Sequence, residues 1–214
     1  MDRPTINQAL TLGHSKLTGN IIPSSFDFFW QPPAPIYNVA RAKQLLAEAG
    51  YPNGFDAGDY SCDASYSNLA EAVANNLQAA GIRVRLRPLE RAAFFSAYSE
   101  KKLKNIIQGA SGAFGNAATR LDAFVVTGGT YVYGSYPDLD GLFQEQAAEL
   151  DRKRREAILH KMQQLVVQDK VMYAPIWELA FLNGVGPRVQ EAGLGLISGH
   201  AYSAPYEDVT LKAK

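Results

Sequence analysis

The chain has 214 residues, of which 47% are apolar and 20% are charged, as is typical of a globular protein with a sizeable core. Its 21 basic and 21 acidic residues balance, so no overall field favours nucleic acid or an anionic membrane as a partner. The single cysteine, Cys62, excludes an internal disulfide and a zinc site built from cysteines. No apolar run is long enough to span a membrane.

The N-terminal segment is predicted to form a helix over residues 2–12, because Ile6, Ala9 and Leu10 recur at helical spacing. Residues 22–37 follow as a long loop that holds four prolines and a cluster of aromatic side chains. This density of proline excludes regular structure. Ordered loops of such length in compact domains are often functional.

Asn38 is a good helix N-cap, because its side-chain oxygen accepts a backbone N–H that has no partner inside the helix. A second helix is therefore predicted to begin after Asn38 and to end at Gly50, which Pro52 follows closely. Its core-facing residues are predicted to be Val39, Ala42, Leu45, Leu46 and Ala49.

Strands and helices alternate through the middle of the chain. Strands are predicted over residues 55–62, 82–87 and 104–108, and helices over residues 66–80 and 91–101. Apolar and basic residues alternate strictly in the second strand, so Arg83, Arg85 and Arg87 are predicted to form one solvated face. This order of elements favours an α/β sheet with helices packed on it.

A helical hairpin is predicted over residues 137–166. Pro137 suits the first turn of a helix, and the acids Asp138 and Asp140 favour the positive end of the helix dipole. The predicted buried residues are Leu142, Phe143, Ala147 and Leu150 on the first helix, and Ile158, Leu159, Met162, Leu165 and Val166 on the second. Residues 173–181 form an apolar run and are predicted to follow as strand or extended chain.

The strongest candidate site is the segment GASGAFGNAATRLDAF at residues 109–124. It follows a predicted strand, and α/β sheets bind ligands beyond the carboxyl ends of their strands. Its candidate ligand-binding residues are Phe114, Asn116, Thr119 and Arg120. The Arg120 guanidinium offers a planar fork for a carboxylate or phosphate. The alternative is an ordinary loop with a solvated Arg120.

A second candidate segment, residues 127–136, contributes Tyr131 and Tyr133 as ligand-binding residues. A tyrosine combines a broad apolar face with a hydroxyl, which suits the wall of a cleft. The alternative is a hairpin whose aromatic side chains pack inward.

Metal and cofactor motifs are absent from the sequence. His14, His160 and His200 lack the spacing of metal ligands, and Gly193 and Gly195 lack the third glycine of a dinucleotide-binding motif. No metal and no cofactor are therefore expected.

Two segments carry a family resemblance. Residues 38–52 read NVARAKQLLAEAGYP, and residues 136–177 contain YPD, DGL, the corner DRKRREAIL and the run APIW in that order. Both resemble the family 5 extracellular solute-binding proteins, which are the peptide, nickel and oligosaccharide receptors of ABC importers.

The resemblance implies an α/β fold, a type II periplasmic-binding-protein-like lobe with a mixed sheet, flanking helices and a C-terminal helical hairpin. Residues 1–214 are then expected to form one lobe, most of lobe II of a two-lobe receptor whose N-terminal first lobe is absent. The expected partners are a peptide or other small solute in the interlobe cleft, that missing lobe and an ABC permease. The full-length receptor is expected to be periplasmic or extracellular, although this chain shows no signal peptide, and not to be an enzyme.

The candidate segment departs from the family pattern G-W-x-x-D-Y-P-D-P-x-x-F. Phe114 stands for the aromatic and residues 122–124 for the end of the motif, but Asn116, Ala117 and Ala118 provide no acid to pair with an α-amine. Two other functions therefore stay open: a hydrolase using carboxylates such as Asp122 and Asp138, and a structural lobe without its own ligand.

Overall fold

The computed structural model describes residues 1–110, 115–180, 182, 184–193, 207 and 209–212. Within them, the α-helices are α1 Arg3–Thr11, α2 Val39–Glu48, α3 Ser67–Ala80, α4 Arg91–Ser99, α5 Ala117–Phe124, α6 Pro137–Ala148 and α7 Arg152–Gln164. The strands are β1 Lys16–Leu17, β2 Phe55–Asp63, β3 Ile82–Leu89, β4 Ile106–Gln108, β5 Trp177–Glu178, β6 Val189–Glu191 and β7 Thr210–Leu211. Over this part of the chain, no helix combines the length and apolar character that crossing a bilayer requires.

The central sheet has the strand order β3-β2-β4, and both pairings are parallel. Its strands and its crossover helices α3 and α4 confirm the predicted α/β order. Exposed and half-buried residues alternate along most of β3, and Arg85 and Arg87 both donate to Asp59 on β2. The antiparallel pairings, β1 with β5 and β6 with β7, form separate two-stranded sheets.

Helix α3 covers the sheet and closes the first part of the core. Leu69, Ala70 and Val73 of α3 pack with Tyr60 and Cys62 of β2. Gly81 ends α3 at a positive φ of 102°, a conformation that glycine adopts without the steric cost of a Cβ. The chain therefore turns directly from the helix into β3.

The hairpin of α6 and α7 forms around a second part of the core. Leu159 and Met162 of α7 and Leu139 of α6 are buried with Leu121 of α5 and Ile22 of the preceding loop. Asp151 caps α7 by accepting a hydrogen bond from the Arg154 backbone N–H at 2.9 Å. The predicted hairpin and the buried face of its second helix are thus confirmed, with Ile158 and Leu165 only half-buried.

The predicted face of α6 is wrong at its C-terminal end, because Ala147 is exposed and Leu150 is 99% exposed. Glu149 leaves the helix with a ψ of 120°, so Leu150 lies on the corner rather than on a helical face. The buried stripe instead starts one turn earlier, at Leu139, and ends at Gln146.

Three further predictions are confirmed only in part. On α1, Ala9 and Leu10 are exposed, and the residues buried beside Ile6 are Asn7 and Thr11, since Asn7 binds both backbone groups of Ser15. None of the α2 residues, all of which are described, is buried: Val39, Ala42 and Leu46 are half-buried, and Leu45 is 48% exposed. Over residues 173–180, which the structure describes, the strand is limited to β5, and the other residues have no regular secondary structure.

A buried carboxamide on α7 fixes the proline-rich loop. Gln163 is 1% exposed. Its Oε1 accepts hydrogen bonds from Asn20 Nδ2 at 2.8 Å and from the Trp30 backbone N–H at 3.0 Å. Its Nε2 donates to the carbonyls of Phe28 and Leu159 at 2.8 and 3.0 Å. The loop therefore lacks regular structure but has a defined path.

Leu159→Ala should lower the free energy of unfolding by about 2–5 kcal/mol, because truncation in a closed core loses transfer energy and leaves a cavity. Leu150→Ala is the matched control and should change it by less than about 0.5 kcal/mol. Urea denaturation of both variants measures the difference, and equal losses would contradict the burial of α7.

Gln163→Leu should lower the free energy of unfolding by at least about 2 kcal/mol, because a buried polar group left without its partner costs about 1–3 kcal/mol. The change removes a partner from Asn20, Trp30 and Phe28 together. Gln164→Leu, at the exposed neighbouring position, is the control and should stay near wild type in the same denaturation experiment. A Gln163→Leu variant as stable as this control would contradict the role of the carboxamide.

Candidate functional site

The candidate site begins where the parallel strands end. At the end of β4, Gln108 accepts a hydrogen bond from the Tyr60 hydroxyl and donates to the Tyr66 carbonyl at 3.4 Å. At the end of β2, the buried Asp63 accepts from Arg91 Nη1 at 2.7 Å. The carboxyl edge of the sheet is therefore held by polar side chains on both strands.

Tyr98 lies at this edge, since a Cβ at Gly109, the residue after β4, would be 3.2 Å from Tyr98 Cε1. Tyr98 belongs to a continuous series of contacting side chains, which we call the aromatic row: Arg120, Phe124, Tyr131, Tyr98, Tyr133 and Lys101. The guanidinium carbon of Arg120 is 5.2 Å from the Phe124 ring centroid. Phe124 and Tyr131 stack with centroids 4.8 Å apart. Tyr98 then contacts Tyr131 at 4.9 Å and Tyr133 at 5.8 Å. Such pairs stabilise an arrangement beyond the area that they bury.

Two tyrosines of the row, Tyr131 and Tyr133, belong to a loop that is anchored at several points. Lys101 Nζ donates to the carbonyls of Gly129 and Thr130 and lies 5.3 Å from the Tyr133 ring centroid. The Tyr133 hydroxyl donates to the Tyr98 carbonyl at 3.2 Å. A side chain at Gly129 would meet three backbone carbonyls at 2.3–3.0 Å, so the loop is closed around a position that only glycine fits.

Asn116 and Thr119, both predicted to bind ligand, form the N-terminal cap of α5. Asn116 Oδ1 accepts from the Thr119 backbone N–H at 3.0 Å, and Thr119 Oγ1 accepts from the Asn116 backbone N–H at 2.9 Å. This reciprocal pair is a capping box. The helix itself was not predicted, since residues 109–124 were interpreted as a loop.

Arg120 ties α5 to the backbone directly before the proline-rich loop. Its Nε donates to the Ile21 carbonyl at 3.1 Å, and its side chain lies over Phe124. Burial lowers the pKa of Arg120 from its ordinary value, and a guanidinium stays charged at neutral pH. The alternative of a solvated Arg120 is therefore wrong, and a role in binding a ligand stays a prediction.

The structure brings Arg120, Tyr131 and Tyr133 into one row, whereas Phe114 lies outside the described residues. Tyr131 is half-buried and Tyr133 is 36% exposed, so the inward-packed alternative holds for Tyr131 more than for Tyr133. The hairpin of that alternative is absent from residues 127–136, all of which are described.

Sequence reasoning missed Tyr98, Phe124 and Lys101 as members of the site. Tyr98 was assigned to a helix with Phe94 and Phe95, and all three do lie on α4. The spacing of these aromatics predicts a buried face but gives no indication that one edge of it meets a distant loop. Lys101 carries no sequence signal, because its contacts are to backbone carbonyls.

In the part of the chain that the structure describes, the carboxylates of the hydrolase alternative, Asp122 and Asp138, do not form a catalytic arrangement. Asp138 Oδ2 pairs with Lys170 Nζ at 2.8 Å, and this hydrogen bond lowers the pKa of Asp138. Asp122 is exposed on α5. Among the described residues, no group of three His, Cys, Asp or Glu side chains is placed to hold a metal ion.

Tyr98 has a pKa raised to about 12, first by burial and then by Tyr133 and Tyr131. Because the folded protein disfavours the phenolate, this group stabilises the fold fully below its ordinary pKa near 10, and that stabilisation is lost as the pH rises toward 12. We expect Tyr98→Phe to reduce the loss of unfolding free energy at alkaline pH. The number of protons released on unfolding in this pH range should fall by about one. Urea denaturation at a series of alkaline pH values measures it, with Tyr51→Phe as the control. An unchanged proton number would contradict the burial of Tyr98.

Comparison with known proteins identifies the family of the chain. The model of the bacterial extracellular solute-binding proteins, family 5 Middle, matches residues 1–131. A curated relative, heme-binding protein A of Haemophilus influenzae, is 25% identical over 204 residues, which are 89% of this chain and 37% of that protein.

Solved structures share the fold. OppA of Burkholderia pseudomallei has a TM-score of 0.78 at 20% identity, over 99% of this chain and 44% of that one. A putative peptide binding protein AppA from Clostridium difficile also scores 0.78, at 18% identity, over 99% of this chain and 45% of that one. A periplasmic oligopeptide-binding protein of Borrelia burgdorferi scores 0.74 at 24% identity, over 84% and 37%.

The chain spans between 37% and 45% of the length of these relatives. The family model covers more than half of the chain and includes the sheet, its crossover helices and most of the aromatic row. This protein belongs to the bacterial extracellular solute-binding proteins of family 5.

Proposed function

We propose that this chain forms most of one lobe, lobe II, of the substrate-binding component of an ABC importer, and that it binds a peptide or other small solute in an interlobe cleft. The observation that carries the proposal is the aromatic row at the carboxyl edge of the sheet, in a chain that belongs to family 5. Ligand sites are mostly apolar with a few convergent polar groups, and the row offers aromatic faces between two cationic side chains.

Each predicted site residue has a distinct part in this proposal. Tyr133 offers an exposed ring, and Tyr131 packs on Tyr98, which also contacts Tyr133. Arg120 supplies a positive charge to a carboxylate on the solute. Asn116 and Thr119 order the start of α5 beside the segment that contains Phe114, whose ring is proposed to contact the solute.

The proposed partners follow from the two-lobe mechanism. A first lobe closes over the solute by a hinge motion, and the closed receptor delivers the solute to an ABC permease. The receptor works outside the cytoplasmic membrane, in the periplasm or the extracellular space. Neither a cofactor nor nucleic acid has a part in this mechanism.

The relatives reported above are named for binding, which favours a receptor over the hydrolase alternative. Asp138 also has a structural partner in Lys170, at 2.8 Å, and its lowered pKa makes it a poor general acid near neutral pH. The remaining alternative, a lobe without its own ligand, is an outcome of the following experiment.

Titration of the isotope-labelled chain with trialanine, followed by amide NMR spectra, should shift the resonances of residues 117–133 with a dissociation constant of about 1 mM or weaker. One lobe offers only part of the contact and does not exclude water, and 1 mM corresponds to about −4 kcal/mol. Arg120→Ala should weaken binding about tenfold, since a hydrogen bond to a charged group contributes about 1.5–3 kcal/mol.

Arg83→Ala is the matched control, because Arg83 is exposed near the amino end of β3, away from the carboxyl edge of the sheet. Arg120→Ala also removes the bond to Ile21, so a thermal melt of each variant must accompany the titration. Tyr133→Ala tests the row without touching that bond, with the exposed Tyr37→Ala as its control. No shift in residues 117–133, or equal affinity in every variant, would contradict the proposed site, and hydrolysis of trialanine would favour the enzyme.

A further inference from the structure

A pocket of about 170 Å³ lies beside the β1–β5 ribbon, and no member of the aromatic row lines it. Its polar side is formed by Lys16, Ser24 and Glu178, and its apolar side by Phe29 and two prolines, Pro33 and Pro35. The pocket is therefore lined by both charged and apolar side chains.

Strand pairing places the two opposite charges of the pocket together. Lys16 of β1 and Glu178 of β5 are direct partners in the antiparallel register, and directly opposed residues project to the same face of a ribbon. Both side chains bind Ser24. Lys16 Nζ donates to Ser24 Oγ, and Glu178 accepts from the Ser24 backbone N–H at 2.9 Å and from Oγ at 3.2 Å.

These bonds leave both charged groups with capacity for a ligand. A carboxylate has about four lone-pair sites, and Ser24 uses two of those on Glu178; an ammonium has three donors, and Ser24 uses one of those on Lys16. Lys16 Nζ and the Glu178 carboxylate both contact Ser24, so the two charged groups lie about one residue's width apart. A ligand that carries an ammonium and a carboxylate on one carbon has matching dimensions.

We propose that this pocket binds a free, small, apolar α-amino acid. The ligand ammonium lies against Glu178, its carboxylate lies against Lys16, and its side chain packs on Phe29, Pro33 and Pro35. The site is separate from the proposed peptide site in the aromatic row and does not depend on it.

The volume and shape of the pocket set the size of the ligand. Pockets for drug-sized ligands usually enclose about 300–1,000 Å³, whereas a cavity of about 150 Å³ is known to hold benzene. A pocket of about 170 Å³ thus fits a molecule of valine size and is too small to enclose a tripeptide. The backbone at Gly19 is closely packed, because a Cβ there would lie 3.1 Å from Pro32 Cγ and 3.3 Å from the Pro33 carbonyl oxygen.

Amide NMR titration of the labelled chain with L-valine tests the proposal. L-valine should shift the amide resonances of Gly19 and Ser24. Valinamide, which lacks the carboxylate, and N-acetylvaline, which lacks the ammonium, should each bind about tenfold more weakly, as expected for the loss of one charge-assisted hydrogen bond.

Variants of the two charged residues test the same contacts from the protein side. Glu178→Gln keeps an acceptor for the Ser24 N–H but removes the charge, and Lys16→Met keeps the length of the side chain. Each should weaken L-valine binding about tenfold. Glu145→Gln and Lys43→Met are the controls, because these residues are exposed on α6 and α2. A thermal melt establishes that each variant is folded.

The outcomes separate this proposal from the proposed function. An absence of shifts at Gly19 and Ser24, equal binding of all three valine compounds, or equal affinity in the charge variants and controls would overturn the amino-acid site. Equally strong shifts at Gly19 and Ser24 with trialanine would overturn its size limit. Shifts in residues 117–133 alone, with trialanine, would leave only the proposed function standing, and shifts at the pocket alone, with L-valine, would leave only this site.

Discussion

One buried carboxamide holds the proline-rich loop to the helical hairpin. Gln163 uses both of its amide hydrogens and accepts two hydrogen bonds. Two of its four partners, Phe28 and Trp30, belong to the loop, and a third, Asn20, lies just before it. Proline has no backbone N–H, so this segment has no regular pattern of backbone hydrogen bonds to define its path. The hydrogen bonds of a single side chain of the hairpin take their place. The loop can then present its carbonyls and rings at fixed positions.

Both ligand sites proposed for this protein rest on that loop or on Ile21, the residue directly before it. The Ile21 carbonyl orients Arg120, and Arg120 covers Phe124 at the start of the aromatic row. On its other side, the loop supplies Ser24 and Phe29 to the ribbon pocket. Preorganised contacts of this kind reduce the ordering cost of binding. The two proposed binding surfaces therefore have side chains held by defined contacts, although the segment that supports them has no regular secondary structure.

The sequence predicted the elements whose signal is local. Alternation identified β3, and Pro137 marked the start of α6, because a strand face and a missing N–H act within a few residues. It could not predict the burial of Gln163, whose partners are as many as 143 residues away. It placed Leu150 on a buried face because periodicity does not show where a helix stops.

The candidate site was predicted in part for the same reason. The position of residues 109–124 after a strand was informative, since strand ends converge at one edge of a parallel sheet. The sequence does not predict the partner of Tyr131 and Tyr133, because Tyr98 lies about 30 residues away in the chain and contacts both rings only in the folded protein. The exposed α2 helix has a different consequence. With no buried side chain, it is weakly coupled to the core, and its amides should exchange with solvent through a local opening that leaves the sheet intact.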